Sequence, residues 1–378
     1  MFLSSVLVAA LAAVASARSC RNLQIPVSIT SRNAVFDVKP LTTEIDTTDF
    51  FLGLSKQGTN FTDILLDGYH TVKGTYKLAA TYCQPDSGPG HTLQILTHGI
   101  GFDRSYWDLP FNKYNYSYVA SAVDGHGYST LAWDRLGVGA SSKGDTVNEI
   151  QVFLELEALK ALTEQAAEGK LPIGVKHKFD SIAHAGHSFG AAMTYGLARL
   201  YPQLTKGIVL QGFSHAPGFL NYFSVGGNFV PVSKVKSLQS KYPPGYIGVQ
   251  SSVGVHINFF GPGNFDPRIL DYAYLNQQAF TPGEILSVGA GLGEKNLFTG
   301  PVMVITGDND VPFCGGNCMG TDAIDNSAPN LIAFSQQFFP RASTFNATVV
   351  PGTGHGMNME YSHPVTYGAM LDFLDSNL

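Results

Sequence analysis

The chain has 378 residues, 44% of them hydrophobic and 14% charged, with a formal net charge of −6. That composition excludes a disordered chain and supplies a large buried core, as two or three domains or as one α/β domain with an insertion. No basic run offers a nucleic-acid groove, and neither His-Glu-x-x-His nor paired Cys-x-x-Cys marks a metal site.

Residues 1–17 read as a removable signal peptide. Phe2 to Ala17 carries no charged side chain and ends in Ala15-Ser16-Ala17, an A-x-A cleavage pattern. The run is shorter than the ~20 residues of a membrane span, and no later apolar run is long enough to cross a bilayer. Residues 18–70 form an N-terminal arm. Two further features favour secretion. Sequons place candidate glycans on Asn60, Asn115 and Asn346. The cysteines after the leader are even in number: Cys20, Cys83, Cys314 and Cys318. Proximity pairs Cys314 with Cys318 and leaves Cys20 with Cys83, as expected in an oxidising compartment.

Short apolar runs then alternate with helical stretches. Strands are predicted at Thr71–Tyr82, Thr92–Thr97, Ser129–Trp133, Asp180–Ala185, Gly207–Leu210, Val302–Thr306 and Thr348–Val350. Helices are predicted at Thr146–Gln165 and Phe189–Leu200. Such alternation implies a mostly parallel central sheet, and Thr71–Tyr82 joins an antiparallel edge.

The most informative segment is a strand running into Gly186-His187-Ser188-Phe189-Gly190, with a helix directly after it. A serine at so sharp a turn needs small neighbours, and the turn lifts its hydroxyl above the sheet edge at the positive end of a helix. Alone, Gly-x-Ser-x-Gly is a weak pattern; between a strand and a helix it marks a nucleophile. A serine hydroxyl needs a base and an orienting acid, in the order Ser, acid, His. Downstream, Pro301–Pro312 reads as a buried strand, Gly307 and two candidate carboxylates, Asp308 and Asp310. Further on, Val349–Asn358 carries His355 among Gly352, Gly354 and Gly356, with His363 and His215 as other candidate bases.

With these blocks the chain resembles the α/β-hydrolase superfamily, and within it secreted fungal serine hydrolases of the esterase and lipase type. The resemblance runs from about Leu78 to Leu378 and rests on four ordered blocks: Thr97-His98-Gly99-Ile100-Gly101, Asp134 to Ser141, the elbow, and the acid and histidine loops. It implies an α/β-hydrolase fold with helices on both faces of the sheet. The core spans 71–212 and 298–378, interrupted by a cap at 213–297. The pattern Gly, two residues, Asp, then Pro assigns the acid to Asp310, giving a Ser188, Asp310 and His355 triad. Oxyanion donors are the backbone N–H groups of Phe189 and Ile100, while His98, Asp134 and Arg135 brace the loops. The cap holds 13 aromatic and 9 charged side chains in 85 residues, which suits an apolar pocket, with Phe213 and His215 as candidate wall residues.

The implied activity is hydrolysis of a small-molecule carboxylic ester with an apolar or aromatic part, through an acyl-enzyme. No cofactor, metal, nucleic acid or membrane partner is called for. Rival readings are lactone, thioester or C–C bond hydrolysis, acyl transfer, cofactor-free haloperoxidase or epoxide-hydrolase chemistry, and a non-catalytic binding module of the same fold. An elbow serine in place of aspartate argues against epoxide opening, and an intact triad argues against the binding module.

Overall fold

The computed structural model describes residues 18–174 and 177–378, so the segment 1–17 that the sequence reads as a leader lies outside the described residues. Ten strands occur: β1 (Arg18–Phe36), β2 (Leu66–Pro85), β3 (Thr92–Thr97), β4 (Ser129–Trp133), β5 (Ser181–His187), β6 (Gly207–Gln211), β7 (Phe229–Pro231), β8 (Ile247–Val249), β9 (Val302–Gly307) and β10 (Phe345–Val350). Eight of them form one sheet in the order β1-β2-β4-β3-β5-β6-β9-β10, and β7 pairs with β8. From β4 to β10 every neighbouring pair is parallel. β2 is antiparallel to both β1 and β4.

Burial explains the two halves. β3, β4, β6 and β9 are buried at every position, as apolar strands covered on both faces must be. β1 and β2 alternate buried and exposed residues, one face on the core and one in water. The N-terminal arm therefore opens with a strand of 19 residues, which its alternation alone did not reveal. Pro26 sits within it, which an edge strand tolerates because one side needs no ladder donors. Cys20 and Cys83 are register partners on β1 and β2 and are joined as a disulfide; Cys314 and Cys318 form the other.

Helices α1 (Glu44–Leu54) and α2 (Phe61–Leu65) separate β1 from β2, and α3 (Tyr118–Ala120) lies between β3 and β4. α4 (Val152–Ala167) and α5 (Phe189–Leu200) flank β5. α4 begins later than its apolar period suggests, because the Asp145 carboxylate accepts from Val147 N and Asn148 N and holds a turn there. Between β6 and β9 stand α6 (Leu220–Gly226), α7 (Ser252–Phe259), α8 (Pro267–Leu275) and α9 (Pro282–Ser287), followed after β9 by α10 (Val311–Cys314) and after β10 by α11 (His363–Asn377). No helix among the described residues is long and apolar enough to cross a membrane.

β3 lies between β4 and β5, so the chain leaves β3 toward one edge and returns on its other side. The crevice outside the carboxyl ends of strands at such a reversal is where α/β sheets bind ligands. The loops after β3, β5, β6, β9 and β10 all open on that edge, and they carry Ile100, Ser188, Gly212, Asp310 and His355.

Candidate active site

Ser188 stands between β5 and α5 with φ 57° and ψ −118°, in the left-handed half of backbone space. For a residue with a side chain this costs on the order of 1–3 kcal/mol and persists only where the surroundings enforce it. Here they do. The Ser188 N–H donates to Gln211 O at 2.9 Å, and its carbonyl accepts from Ala191 N at 2.8 Å and Ala192 N at 3.1 Å. The flanking glycines are required by close approach. A Cβ on Gly186 would lie 2.0 Å from Gly190 O, and one on Gly190 would lie 2.2 Å from Thr97 O. Ser188 is partly exposed while its neighbours from Gly186 to Gly190 are buried. Phe189 opens α5, so its N–H has no intrahelical acceptor.

His355 Nδ1 lies 2.8 Å from Asp310 Oδ2 in a buried pair. Thr306 Oγ1 donates to the same oxygen at 2.5 Å, and Phe313 N donates to Oδ1 at 2.8 Å. The carboxylate thus holds the Nδ1–H tautomer and leaves the lone pair on Nε2. Nε2 is buried and finds no hydrogen-bond partner among the described residues, Ser188 included. The histidine loop is nevertheless seated against the elbow: His187 Nε2 donates to His355 O at 3.0 Å. A Cβ on Gly212 would meet His355 Cε1 at 2.9 Å. In apo structures catalytic hydrogen bonds are often long or poorly aligned and tighten only in the Michaelis complex.

The other acidic and basic candidates are employed elsewhere. Asp308 Oδ1 accepts from Thr353 N at 3.1 Å and so braces the histidine loop without touching His355. His363 lies 2.7 Å from Glu360 O and 2.9 Å from Asn115 O, tied into the fold through both nitrogens.

The loop after β3 runs directly against the elbow. A Cβ on Gly99 would sit 2.8 Å from Ser188 Cβ. His98 shapes it, Nδ1 donating to Gly99 O at 2.9 Å and Nε2 accepting from Arg135 N at 3.1 Å. Burial, reinforced by the Arg135 charge, pushes His98 well below the usual histidine range and keeps it neutral. Asp134 accepts from Arg104 N at 3.0 Å, from Ala140 N at 2.9 Å and from the Arg104 guanidinium. Arg135 is fully buried, pairs with Glu155 at 2.7 Å and with Glu284, and lies 4.3 Å over the Phe189 ring. It therefore joins α4, α9 and the residue after Ser188.

A family model described as the alpha/beta hydrolase family matches residues 94–367. The chain belongs to this family. The hydrolase is similar in structure to a thermophilic esterase from Thermogutta terrifontis (TM-score 0.53, 16% identity, 80% of this chain and 94% of that one). It is likewise similar to an alpha/beta hydrolase fold protein from Chitinophaga pinensis (TM-score 0.51, 16% identity, 80% and 94% covered). At this identity the likeness establishes the fold. Among curated proteins, none matches the sequence.

In the hydrolase, Ser188, Phe189 and Ile100 all line one cavity of about 470 Å³. Phe213 and His215 do not line it, contrary to the sequence expectation. Phe213 is fully buried in a core cluster behind the acid loop, 5.5 Å from the Phe313 ring. His215 is stacked on Phe338 at 4.1 Å, with both ring nitrogens buried and without partners among the described residues. After Gly212 the chain packs onto α5, where Tyr195 lies against both rings.

Two residues beside the site were missed from sequence. Glu360 is buried and accepts from Gly261 N at 2.6 Å, Gly354 N at 2.9 Å and Asn264 Nδ2 at 2.9 Å, clamping the histidine loop to the segment after α7. His187 stacks on Tyr106 at 4.2 Å and is held neutral by burial. The only signal of Glu360 is a carboxylate five residues after His355, and nothing in one sequence shows that it folds back. The sequon residues Asn60, Asn115 and Asn346 are all exposed.

Proposed function

We propose that the hydrolase is a secreted carboxylic ester hydrolase acting through Ser188, His355 and Asp310. One observation carries the reading: a buried Asp310–His355 pair, its Nε2 without a hydrogen-bond partner among the described residues, lies on the same sheet edge as a strained, partly exposed serine. Ser188 Oγ attacks the ester carbonyl carbon, and His355 Nε2 takes the hydroxyl proton. The C–O bond to the alcohol then breaks, and His355 returns the proton to the leaving oxygen. Water repeats the sequence on the acyl-enzyme, releasing the acid and restoring Ser188. Phe189 N–H and Ile100 N–H stabilise the oxyanion, each worth about 3–4 kcal/mol of barrier. Asp310 keeps the tautomer and steadies the imidazolium.

Esters are favoured by the described activity of the Thermogutta relative and by the mainly apolar cavity. Two disulfides, an A-x-A leader and exposed sequons support secretion. A fluorophosphonate probe tests the reading with intact mass as readout. One adduct on the wild type, none on Ser188→Ala, and parallel loss of ester turnover are expected. A wild type that takes no probe and cleaves no ester would overturn it, as would a fully active Ser188→Ala.

A further inference from the structure

Part of the lining of the cavity that holds Ser188 comes from a stretch of the chain that precedes the family's matched region, which starts at residue 94. β1 ends there with Ala34 and Phe36, α1 contributes Leu54, and β2 begins with Leu66 and Tyr69. The hairpin and its two helices are thus more than an edge for the sheet: five side chains of the segment put an apolar surface into the reactive cavity. Asn60, Thr62 and Asp63, around α2, finish this wall with polar groups. α6 and α9 supply further lining residues such as Leu220, Phe223 and Ile285.

Charge is distributed just as unevenly. Among the described lining residues Asp63 carries the one formal charge, and no Lys, Arg or His faces it from the lining. Its Oδ2 accepts from Asn60 Nδ2 at 2.7 Å, and no Lys or Arg pairs with it among the described residues. Arg32, which does not line the cavity, lies 5.8 Å from the Tyr69 ring centre instead. Asp63 is exposed, so its carboxylate stays hydrated and available to a ligand group. A mainly apolar cavity lined by both a serine and a single carboxylate can discriminate by what the substrate carries away from its ester group.

We infer that the N-terminal segment selects the substrate: an ester with a long apolar arm that runs from Ser188 past Phe36, Leu54 and Leu66 and ends in a hydrogen-bond donor, a hydroxyl or an ammonium group, at Asp63. An arm ending in a carboxylate meets a like charge and is disfavoured. This rests on the ester-hydrolase reading above and adds to it a wall and a charge that the family match does not include.

The test is a panel of esters with arms of equal length ending in methyl, hydroxyl, ammonium or carboxylate. The arm is placed once on the acyl side and once on the alcohol side, and p-nitrophenyl acetate serves as a short reference. On at least one side, the wild type is expected to give hydroxyl- and ammonium-ended esters a kcat/KM roughly threefold to fivefold above the carboxylate-ended one, the scale of one like-charge contact at an exposed site. Asp63→Lys is expected to invert the ammonium and carboxylate ranking, and Asp63→Asn to level it, with thermal melting confirming that each variant is folded. Turnover of the acetate with equal kcat/KM for all tails on both sides overturns the selection and leaves the ester reading standing. So does a ranking that Asp63→Lys leaves unchanged. No turnover of any ester, the acetate included, overturns both.

Discussion

Ser188 and Asp63 line the same cavity, yet they are held in opposite ways. Ser188 is locked by three backbone hydrogen bonds and by two glycines whose neighbours approach to about 2 Å of where a Cβ would be. Asp63 lies on a five-residue helix without a buried side chain and is tied by its Asn60 cap. Bond-making atoms must stay within fractions of an ångström of their working positions, so the elbow is overdetermined. A charge that acts through several ångströms tolerates motion, so an exposed helix suffices.

The largest effect that sharpens this contrast is expected at the two neighbouring carboxylates. Asp310→Asn should leave the fold intact and lower kcat by roughly 10⁴-fold, because an amide favours the wrong imidazole tautomer. Asp308→Asn should cost about 1 kcal/mol of stability through the weakened Thr353 N contact and leave kcat within a small factor. Steady-state kinetics on one ester together with urea titrations measures both, and equal kcat losses would break the distinction between catalytic and bracing acids.

Arg135 comes next. It is buried between Glu155 and Glu284. Burial and the neighbouring Glu284 push Glu155 well above the usual carboxylate range, and the Arg135 charge opposes that rise. Arg135→Met strands two acids in the core and is expected to destabilise by about 3–5 kcal/mol. Replacing the cluster as Arg135→Met with Glu155→Gln and Glu284→Gln should recover much of that loss, as read by denaturant midpoints. A single variant as stable as the wild type would show that the cluster does not brace the elbow.

The smallest effect concerns His215, once expected in the pocket wall. Burial holds His215 and His184 down at about 3. In the unfolded chain they titrate near the ordinary histidine value of 6.5. Above that value both states are neutral and nothing is lost. As pH falls from there toward 3, the unfolded chain binds protons that the folded chain refuses, and stability declines. His215→Phe keeps the stack on Phe338 and removes two unpartnered nitrogens. A gain of about 1 kcal/mol at neutral pH and a shallower decline between pH 6.5 and 4 are expected. An unchanged acid limb would mean that His215 is solvated in the folded state.

Much of the catalytic edge was legible because local chemistry announces it. β3 and β4 run as the apolar periods indicate, α5 starts on the residue after Ser188, and the cysteines pair as proximity suggests. Strand ends shifted by one to three residues at β5, β6, β9 and β10, where ladder hydrogen bonds rather than hydropathy set the limit. β1 was missed outright. Its alternation with polar residues acquires meaning only through nineteen residues of pairing with a partner.

The order of the amino acids by itself determined what depends on neighbours along the chain: a strand–turn–helix with Gly186 and Gly190 two residues either side of Ser188, and acid and histidine loops that follow it in sequence. Tertiary structure alone decided where Phe213 and His215 pack, how Glu360 clamps the histidine loop, and that the N-terminal segment lines the cavity that holds Ser188. Those outcomes depend on contacts between residues far apart in the chain, made only when the sheet closes, and no local preference encodes them.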